Sequence, residues 1–284
     1  MHTTRGTHPL NAGRAAVAAL ALVAASLAGC AQAPTAPVAP QPLPRVWILG
    51  EQHDQADHQR QLTDLVRQLA WRREIGALVL EMVERGRSTK AVPPGSEEAD
   101  VQLALGWDTR AWPWVAYGPA VMAAVRANVT VVGGNLPTSA VRKTMDDASF
   151  DAKLPEPARE RVLAALREGH CGALPAAREP GMLRVQVARD ASMAAAVTEA
   201  LEDVPENRTV VLYTGAQHAA RDRGVPLHLL AAGKLQPGQI HATAFGDASQ
   251  AQGLEFDSLR AAKPSPRADY CAGLAQKLAP KPAN

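Results

Sequence analysis

Ionisable residues follow three short apolar runs of the sequence, at the points where buried strands would end. The runs are residues 46–49, 77–80 and 209–213, and the ionisable residues after them are Glu51, His53, Glu81 and His218. In an open parallel sheet the carboxyl ends of the strands lie at one edge, and ligands bind there. We therefore expect these four side chains to converge on one site.

Two carboxylates and two imidazoles form a credible ligand set for a divalent ion such as Mn²⁺, Co²⁺ or Zn²⁺. Glu51 and His53 are two residues apart in extended chain, so their side chains point to the same side. A glycine precedes each histidine by three residues, at Gly50 and Gly215, and permits a sharp turn where the strand stops. A bound metal would activate water, with Glu51 or Glu81 as the general base of a hydrolase. Taken singly, each histidine could equally be structural, and Glu81 could be half of a salt bridge.

A second polar cluster lies on a helix predicted from about residue 181 to residue 201. Gln186, Arg189 and Asp190 fall within about a hundred degrees of arc that also includes Met193, at 3.6 residues per turn. This pattern predicts a helix whose inward side is partly polar and supports the site. A surface ion pair between Arg189 and Asp190 is the alternative.

Aromatic residues make up only 4% of the chain, yet four of them crowd into residues 106–119. They are Trp107, Trp112, Trp114 and Tyr117. Such clustering fits either a flat apolar surface for a ligand or a packed cap. Of the other two tyrosines, Tyr213 falls in a predicted core strand and Tyr270 abuts a cysteine near the terminus. Tyr117 is therefore the best candidate for a phenolate that ligates iron.

The elements that must position these residues alternate between strand and helix. Apolar runs predict strands at 46–49, 77–80, 129–132, 209–213 and 240–245, and Leu62, Leu65, Val66 and Leu69 have the spacing of a helix that Asp54 or Asp57 could cap. Alternation of this kind predicts an α/β fold with a mainly parallel sheet flanked by helices. Helical patterns without intervening strands predict a helical insertion, or cap, at about 145–201.

The first 44 residues have the pattern of an export signal and a membrane tether. Arg5 and Arg14 precede an apolar run, residues 15–27, that is too short to cross a bilayer. The run ends in Leu-Ala-Gly-Cys, which resembles the lipobox of bacterial lipoproteins, so we expect a signal peptide at 1–29 and lipidation, including palmitate, at Cys30. Residues 30–44 contain five prolines and predict an extended tether. Ala31 follows the cysteine where inner-membrane retention typically has Asp, which favours the outer membrane, facing either leaflet.

The rest of the chain, residues 45–284, is predicted to form one domain with balanced charge. Without the two leader arginines it has 28 basic and 28 acidic residues, which argues against a nucleic acid partner. Export places Cys171 and Cys271 in an oxidising compartment, where they could form a disulfide or remain two buried thiols.

Several short motifs together resemble the ChaN family of haem-binding lipoproteins, in the Tiki and erythromycin-esterase-like superfamily. They are Leu49-Gly50-Glu51-Gln52-His53, Leu80-Glu81, Trp112-Pro113-Trp114, Tyr117-Gly118-Pro119, His170-Cys171-Gly172, the stretch from Gln186 to Met193, Gly215-Ala216-Gln217-His218, and residues 221–226. The motifs span most of the predicted domain.

The resemblance implies a lipoprotein that binds haem for iron uptake and acts with an outer-membrane haem receptor. It also implies a homodimer that encloses two stacked haems, with a tyrosine on each iron; we assign Tyr117 as that ligand, with Trp114 beside the haem. In the Tiki branch, the two Gly-x-x-His motifs and a glutamate bind a divalent metal for proteolysis. Haem binding is thus the first prediction, and a metal-dependent hydrolase or peptidase is the alternative.

Overall fold

The structure is a computed structural model that describes residues 1–3, 43–246, 255–266 and 270–273. The chain divides into two units, residues 1–42 and 43–284. Nearly all of the predicted signal peptide and of the tether, including Cys30, lies outside the described residues. Within the described ranges, no helix combines the length and the apolar composition needed to span a bilayer.

A six-stranded sheet forms the centre of the second unit. Its strands are β1 (Val46–Glu51), β2 (Ile75–Glu84), β3 (Thr130–Asn135), β4 (Thr209–Gly215), β5 (Ile240–Phe245) and β6 (Ser258–Arg260). They are arranged in the order β3-β2-β4-β1-β5-β6, and every neighbouring pair is parallel. The predicted α/β fold with a mainly parallel sheet is confirmed. Strands β1, β2 and β4 are adjacent, so their carboxyl ends lie side by side.

Helices cover both faces of this sheet. They are α1 (Ala56–Trp71), α2 (Glu98–Leu105), α3 (Trp114–Arg126), α4 (Val141–Asp146), α5 (Glu156–Gly169), α6 (Glu179–Asp203), α7 (Ala216–Ala219) and α8 (Val225–Ala231). Leu62 of α1 and Val121 of α3 belong to one core cluster, whereas Met193 of α6 and Leu229 of α8 belong to another. Burial of a fully parallel sheet on both faces explains why its strands read as continuous apolar runs.

Helix α1 begins without the predicted side-chain cap. Its N-cap is Gln55, which makes no capping hydrogen bond, so the expectation of Asp54 or Asp57 as the cap is wrong. Asp57 instead accepts the backbone N–H of Lys263 at 2.8 Å and the side-chain amide of Gln61 at 2.9 Å. The Lys263 bond first, and then the Gln61 and Arg60 bonds, lower the pKa of Asp57 to about 2 against the effect of burial. This carboxylate therefore holds the chain after β6 against α1.

The predicted insertion at 145–201 contains helices α5 and α6, which enclose a small core of their own. Val162 and Leu166 of α5 pack with Leu183 and Val187 of α6. Beyond that core, α6 continues onto the sheet. At the end of α5, Cys171 forms a disulfide with Cys271, 100 residues further along the chain, with their Cα atoms 5.7 Å apart. The insertion is thus joined covalently to the C-terminal residues 270–273.

Candidate functional site

Glu51, the last residue of β1, is buried and surrounded by hydrogen-bond donors. Its Oε1 accepts from the Tyr117 hydroxyl at 2.8 Å and from Nδ1 of His53 at 2.7 Å. Its Oε2 accepts from the Tyr213 hydroxyl at 2.6 Å and from the Gln59 amide. Four donors occupy the lone pairs of this carboxylate, which leaves it poorly placed to coordinate a cation.

Glu81, on the neighbouring strand β2, is held in the same way. It accepts from the Arg189 guanidinium at 2.6 Å, the Thr214 hydroxyl at 2.6 Å and the Gly215 N–H at 2.7 Å. Burial alone would raise the pKa of Glu81, but the charges of His218, Arg189 and His53 outweigh that effect and lower the pKa to about 2. Glu81 therefore carries a buried negative charge that its neighbours stabilise.

The two predicted histidines are each oriented by a carboxylate. Nδ1 of His53 lies 2.7 Å from Glu51, and Nδ1 of His218 lies 2.6 Å from Asp190. Since a carboxylate only accepts, Nδ1 of each ring carries a hydrogen and donates it. Burial alone would lower the pKa of His53, but the bond to Glu51 and the nearby carboxylate charges raise it. Both rings line a cavity of about 370 Å³, which we call the strand-end cavity.

The four predicted residues are therefore together, but they do not form the predicted metal centre. Nε2 of His218 lies 3.8 Å from Glu81, and a Cβ added at Gly215 would lie 3.0 Å from Nε2 of His53. However, no three His, Cys, Asp or Glu side chains in the described part of the chain are arranged to hold a metal ion. The physical reason is that tyrosine, glutamine and arginine donors already occupy both carboxylates, and the Arg189 charge opposes a cation beside Glu81.

Helix α6 contributes the polar face that the sequence predicts. Besides Glu81, Arg189 donates to the side-chain oxygen of Asn135 at 3.0 Å, and Asp190 is buried against His218. Gln186 lines the strand-end cavity one turn earlier. The alternative of a surface pair between Arg189 and Asp190 is wrong, because the two side chains bind different partners.

The rings of the aromatic cluster pack against one another as a cap. Trp107 contacts Trp114 edge-on at 5.0 Å between ring centroids, and Tyr117 contacts Trp112 at 5.9 Å. The indole of Trp114 donates to Glu98 at 2.7 Å, so this ring is held at the outside of the cap.

Tyr117 itself is only 2% exposed, and its hydroxyl donates to Glu51. Burial first, and then the charge of Glu51, raise the pKa of Tyr117, which disfavours the phenolate that iron would need. In this arrangement the Tyr117 oxygen is covered, which argues against its assignment as the iron ligand. Trp114 is only partly buried, and its contact with haem stays a prediction.

Sequence reasoning missed several members of this network. Tyr213 was assigned to the core strand alone, although its hydroxyl reaches Glu51. Gln59 is buried in the first half of α1 beside the buried polar residues Asp57, His58 and Thr63. Thr214 lies between a tyrosine and a glycine at the end of β4. Several polar residues at helical spacing with Leu62 and Val66 are the signal that would have indicated a polar stretch on the buried face of α1.

A second cavity, of about 850 Å³, lies in the helical insertion, and we call it the insertion cavity. Its walls come from α4, the connection between α5 and α6, and the first turn of α6. His170 lines both this cavity and the strand-end cavity. The two cavities therefore adjoin at one histidine.

The fold and the site define an α/β protein with a histidine-lined cavity at the carboxyl ends of a parallel sheet. The chain belongs to the family described as haem-binding uptake, Tiki superfamily, ChaN, whose model matches residues 44–229. The predicted family is confirmed.

The chain is similar to solved structures. ChaN of Campylobacter jejuni, described with cofacial haem binding, aligns with a TM-score of 0.60 and 18% identity over 72% of this chain and 82% of that one. The type III effector HopBA1 aligns with a TM-score of 0.46 and 12% identity over 78% of this chain and 88% of that one. No curated protein matches the chain.

Proposed function

We propose that this protein binds haem and serves its uptake as a lipoprotein anchored to the outer membrane through Cys30. Membership of the haem-binding uptake family supports the ligand class. The Leu-Ala-Gly-Cys motif that ends the apolar leader supports the anchor. Two or more acyl chains hold a protein stably at a bilayer, which a single chain does not.

The observation that carries the proposal is the state of the histidines on the cavity walls. His53, His218 and His170 each place Nδ1 within 2.8 Å of an oxygen that only accepts. Each ring is therefore oriented by a hydrogen bond from Nδ1, and its neutral form has on Nε2 the lone pair with which imidazole ligates iron.

The surrounding residues also fit the rest of a haem molecule. Apolar side chains such as Leu166 and Leu174 line the two cavities and suit the porphyrin ring, and arginines such as Arg178 suit its propionates. The volumes of about 370 and 850 Å³ fall in the range of small-molecule sites.

Two partners complete the proposal. The cofacial haem binding described for ChaN of Campylobacter jejuni supports a homodimer in which two copies of this chain enclose two haems. An outer-membrane haem receptor is the expected source or recipient of the haem.

The alternative of a metal-dependent hydrolase has less support. Its ligand set would require Glu51 and Glu81 to exchange their present donors for a metal ion, and Arg189 would remain within hydrogen-bond distance of Glu81. Haem binding requires no such rearrangement.

The test is a titration of the purified protein with ferric haem, followed by absorbance, with a metal analysis of the same sample. We expect a saturable shift of the Soret band with a stoichiometry of one haem per chain, and no stoichiometric divalent metal. An unshifted Soret band together with one equivalent of Mn, Co or Zn per chain would contradict the proposal and favour the hydrolase.

A further inference from the structure

One tryptophan of the chain lies on the surface instead of in a core. Trp71, the last residue of α1, is 88% exposed, whereas the other four tryptophans are partly buried. An indole has a large apolar ring and a polar N–H, so it suits a boundary between an apolar phase and water. Trp71 therefore has the chemistry of a residue that contacts a membrane interface.

The surface around Trp71 lies at the edge of the sheet where the strands begin. The connections that lead into β1 to β5 meet there, and we call them, together with the last residue of α3, the strand-start edge. They are residues 43–45, 72–74, 126–129, 204–208 and 232–239. This edge is opposite to the carboxyl ends of the strands, where the strand-end cavity lies.

The strand-start edge is basic, and its unpaired charge lies beside Trp71. The five segments contain six basic residues and two glutamates. Arg72 and Arg73 are exposed, and Arg73 makes no ion pair with any described residue. Arg72 has a carboxylate, that of Glu74, at 4.0 Å. Lys234, in the connection into β5, is paired with Glu202 at 3.0 Å. The charge available to an anionic surface is thus next to the exposed indole.

The chain that leads from Cys30 enters the domain at the same edge. The carbonyl oxygen of Arg45 accepts the N–H of Val210 at 2.9 Å, and that of Glu74 accepts the N–H of Thr209 at 2.8 Å. The first residues of β4 therefore lie between the entering chain and the residue after Arg73. Since neighbouring strands are about 4.8 Å apart, these two flanking segments are about 10 Å apart.

The entry point is held firmly on the domain. The guanidinium of Arg45 donates to the carbonyl oxygens of Pro205 at 2.7 Å and Arg208 at 2.6 Å. Cys30 is at most about 47 Å from residue 43 along the chain, because each residue spans up to about 3.6 Å. An anchor at Cys30 thus keeps the strand-start edge within reach of the bilayer.

We propose that the strand-start edge lies against the bilayer, with the indole of Trp71 among the headgroups and Arg72 and Arg73 on anionic phospholipids. The inference rests on the Cys30 anchor proposed above and adds the surface with which the anchored domain contacts the membrane. One indole and two arginines bind a bilayer weakly by themselves, but the acyl anchor raises their effective concentration at the surface. The carboxyl edge of the sheet then faces away from the membrane, so the strand-end cavity is open to ligands.

The test uses the full acylated chain in vesicles that contain phosphatidylglycerol and a phospholipid brominated on its acyl chains, which quenches an indole that contacts it. The chain has five tryptophans, so we expect the wild type to lose about a fifth of its emission. Trp71→Phe should show no such quenching, because the indole that contacts lipid is gone. Trp107→Phe is the matched control and should be quenched as the wild type is, since Trp107 packs on Trp114 at the other end of α3.

The role of the charges is tested in the same vesicles. Arg72→Glu/Arg73→Glu should reduce the quenching at least twofold, and so should replacement of phosphatidylglycerol by phosphatidylcholine for the wild type. Arg142→Glu/Lys143→Glu is the control, because it reverses another exposed pair of neighbouring basic residues, on α4, which follows the carboxyl end of β3. Equal quenching of the two double variants would contradict the role of Arg72 and Arg73. Circular dichroism establishes that each variant is folded.

The possible outcomes distinguish the surface from the anchor. If the wild type has the acyl mass and Trp71→Phe is quenched as strongly as the wild type, the inference is wrong while the anchor stands. Emission of Trp71 that lipid does not quench, but that shifts to shorter wavelength as the concentration of the chain rises, would assign this surface to a second copy and would equally overturn the inference. If the wild type carries no acyl mass, the proposed lipoprotein function fails, and the inference fails with it.

Discussion

At the scale of single residues, the carboxylates at the strand ends act as hydrogen-bond acceptors that orient other groups. Glu51 accepts hydrogen bonds from two tyrosine hydroxyls, an amide and an imidazole, and Asp190 orients His218 by accepting from its Nδ1. Removing one partner from such a buried network lowers the free energy of unfolding by more than the loss of an ordinary hydrogen bond does, because the remaining polar groups stay desolvated. The site is therefore rigid before any ligand arrives.

Glu81 makes the stability of the fold dependent on pH. Its pKa is lowered from 4.5 to about 2, so its charge stabilises the fold fully above pH 4.5, and this contribution is lost as the pH falls toward 2. A difference of this size corresponds to about 3 kcal/mol. We expect Glu81→Gln to lower the free energy of unfolding by about that amount at pH 7 and to flatten its decline between pH 5 and pH 3, measured by urea unfolding.

The control for this prediction is Glu160→Gln, since Glu160 is exposed on α5. It should leave both the stability and its pH dependence unchanged. A Glu81→Gln protein whose stability falls with pH as steeply as that of the wild type would show that the charge of Glu81 is not the cause.

Much of this site could be predicted from the sequence, but its hydrogen bonds could not. Glu51, His53, Glu81 and His218 could be placed together because strand ends in a parallel sheet share an edge. Tyr117 could not be placed, because residue type does not reveal whether a phenol in an aromatic cluster faces solvent or a buried carboxylate. The same limit applied to the metal prediction, which depended on whether other donors already occupied the two carboxylates.

At the scale of elements, the apolar runs predicted five strands within a few residues of their observed bounds. Strand β6 was missed because its three residues at the sheet edge, Ser258–Arg260, carry no apolar run. The long helix predicted at 181–201 extends over Glu179–Asp203. The secondary structure of strongly periodic or continuously apolar segments can thus be predicted from the sequence. A short edge strand cannot, because it depends on the tertiary pairing that forms it.

The close approach of β2 and β3 depends on Gly133. The pairing shifts register between Leu80 and Glu84, and a Cβ added at Gly133 would overlap the backbone carbonyl of Glu84. Backbone cannot move aside as a flexible side chain can, so we expect Gly133→Ala to lower the free energy of unfolding by about 2 kcal/mol or more.

Gly169→Ala is the matched control for Gly133→Ala. A Cβ there meets no atom within 4 Å, and alanine is the better helix former at the end of α5. Its stability should equal or slightly exceed that of the wild type in the same urea experiment. If the two variants unfold at the same denaturant concentration, the close approach of β2 and β3 does not constrain the fold.

At the scale of the whole molecule, the covalent links determine where the haem-binding domain can act. The disulfide joins the insertion to the C-terminal residues and is a bond suited to an oxidising compartment. Export is what the leader predicts, and the disulfide is compatible with the location outside the cytoplasm that we propose. In the anchored protein that we propose, the proline-rich segment would set the distance between the domain and the membrane.

The anchor is tested by Cys30→Ser in the full chain expressed in a bacterium. We expect the wild type to partition into the detergent phase of a Triton X-114 extract with the mass of a chain that begins at an acylated Cys30. The variant should instead keep its leader and lack the acyl mass, because the cysteine is both the site of acylation and the residue before which the leader is cut. A Cys171→Ser/Cys271→Ser double variant should still be acylated, since it alters only the disulfide. A wild-type chain that remains in the aqueous phase without acyl mass would contradict the anchor and leave the haem site on a protein free of the membrane.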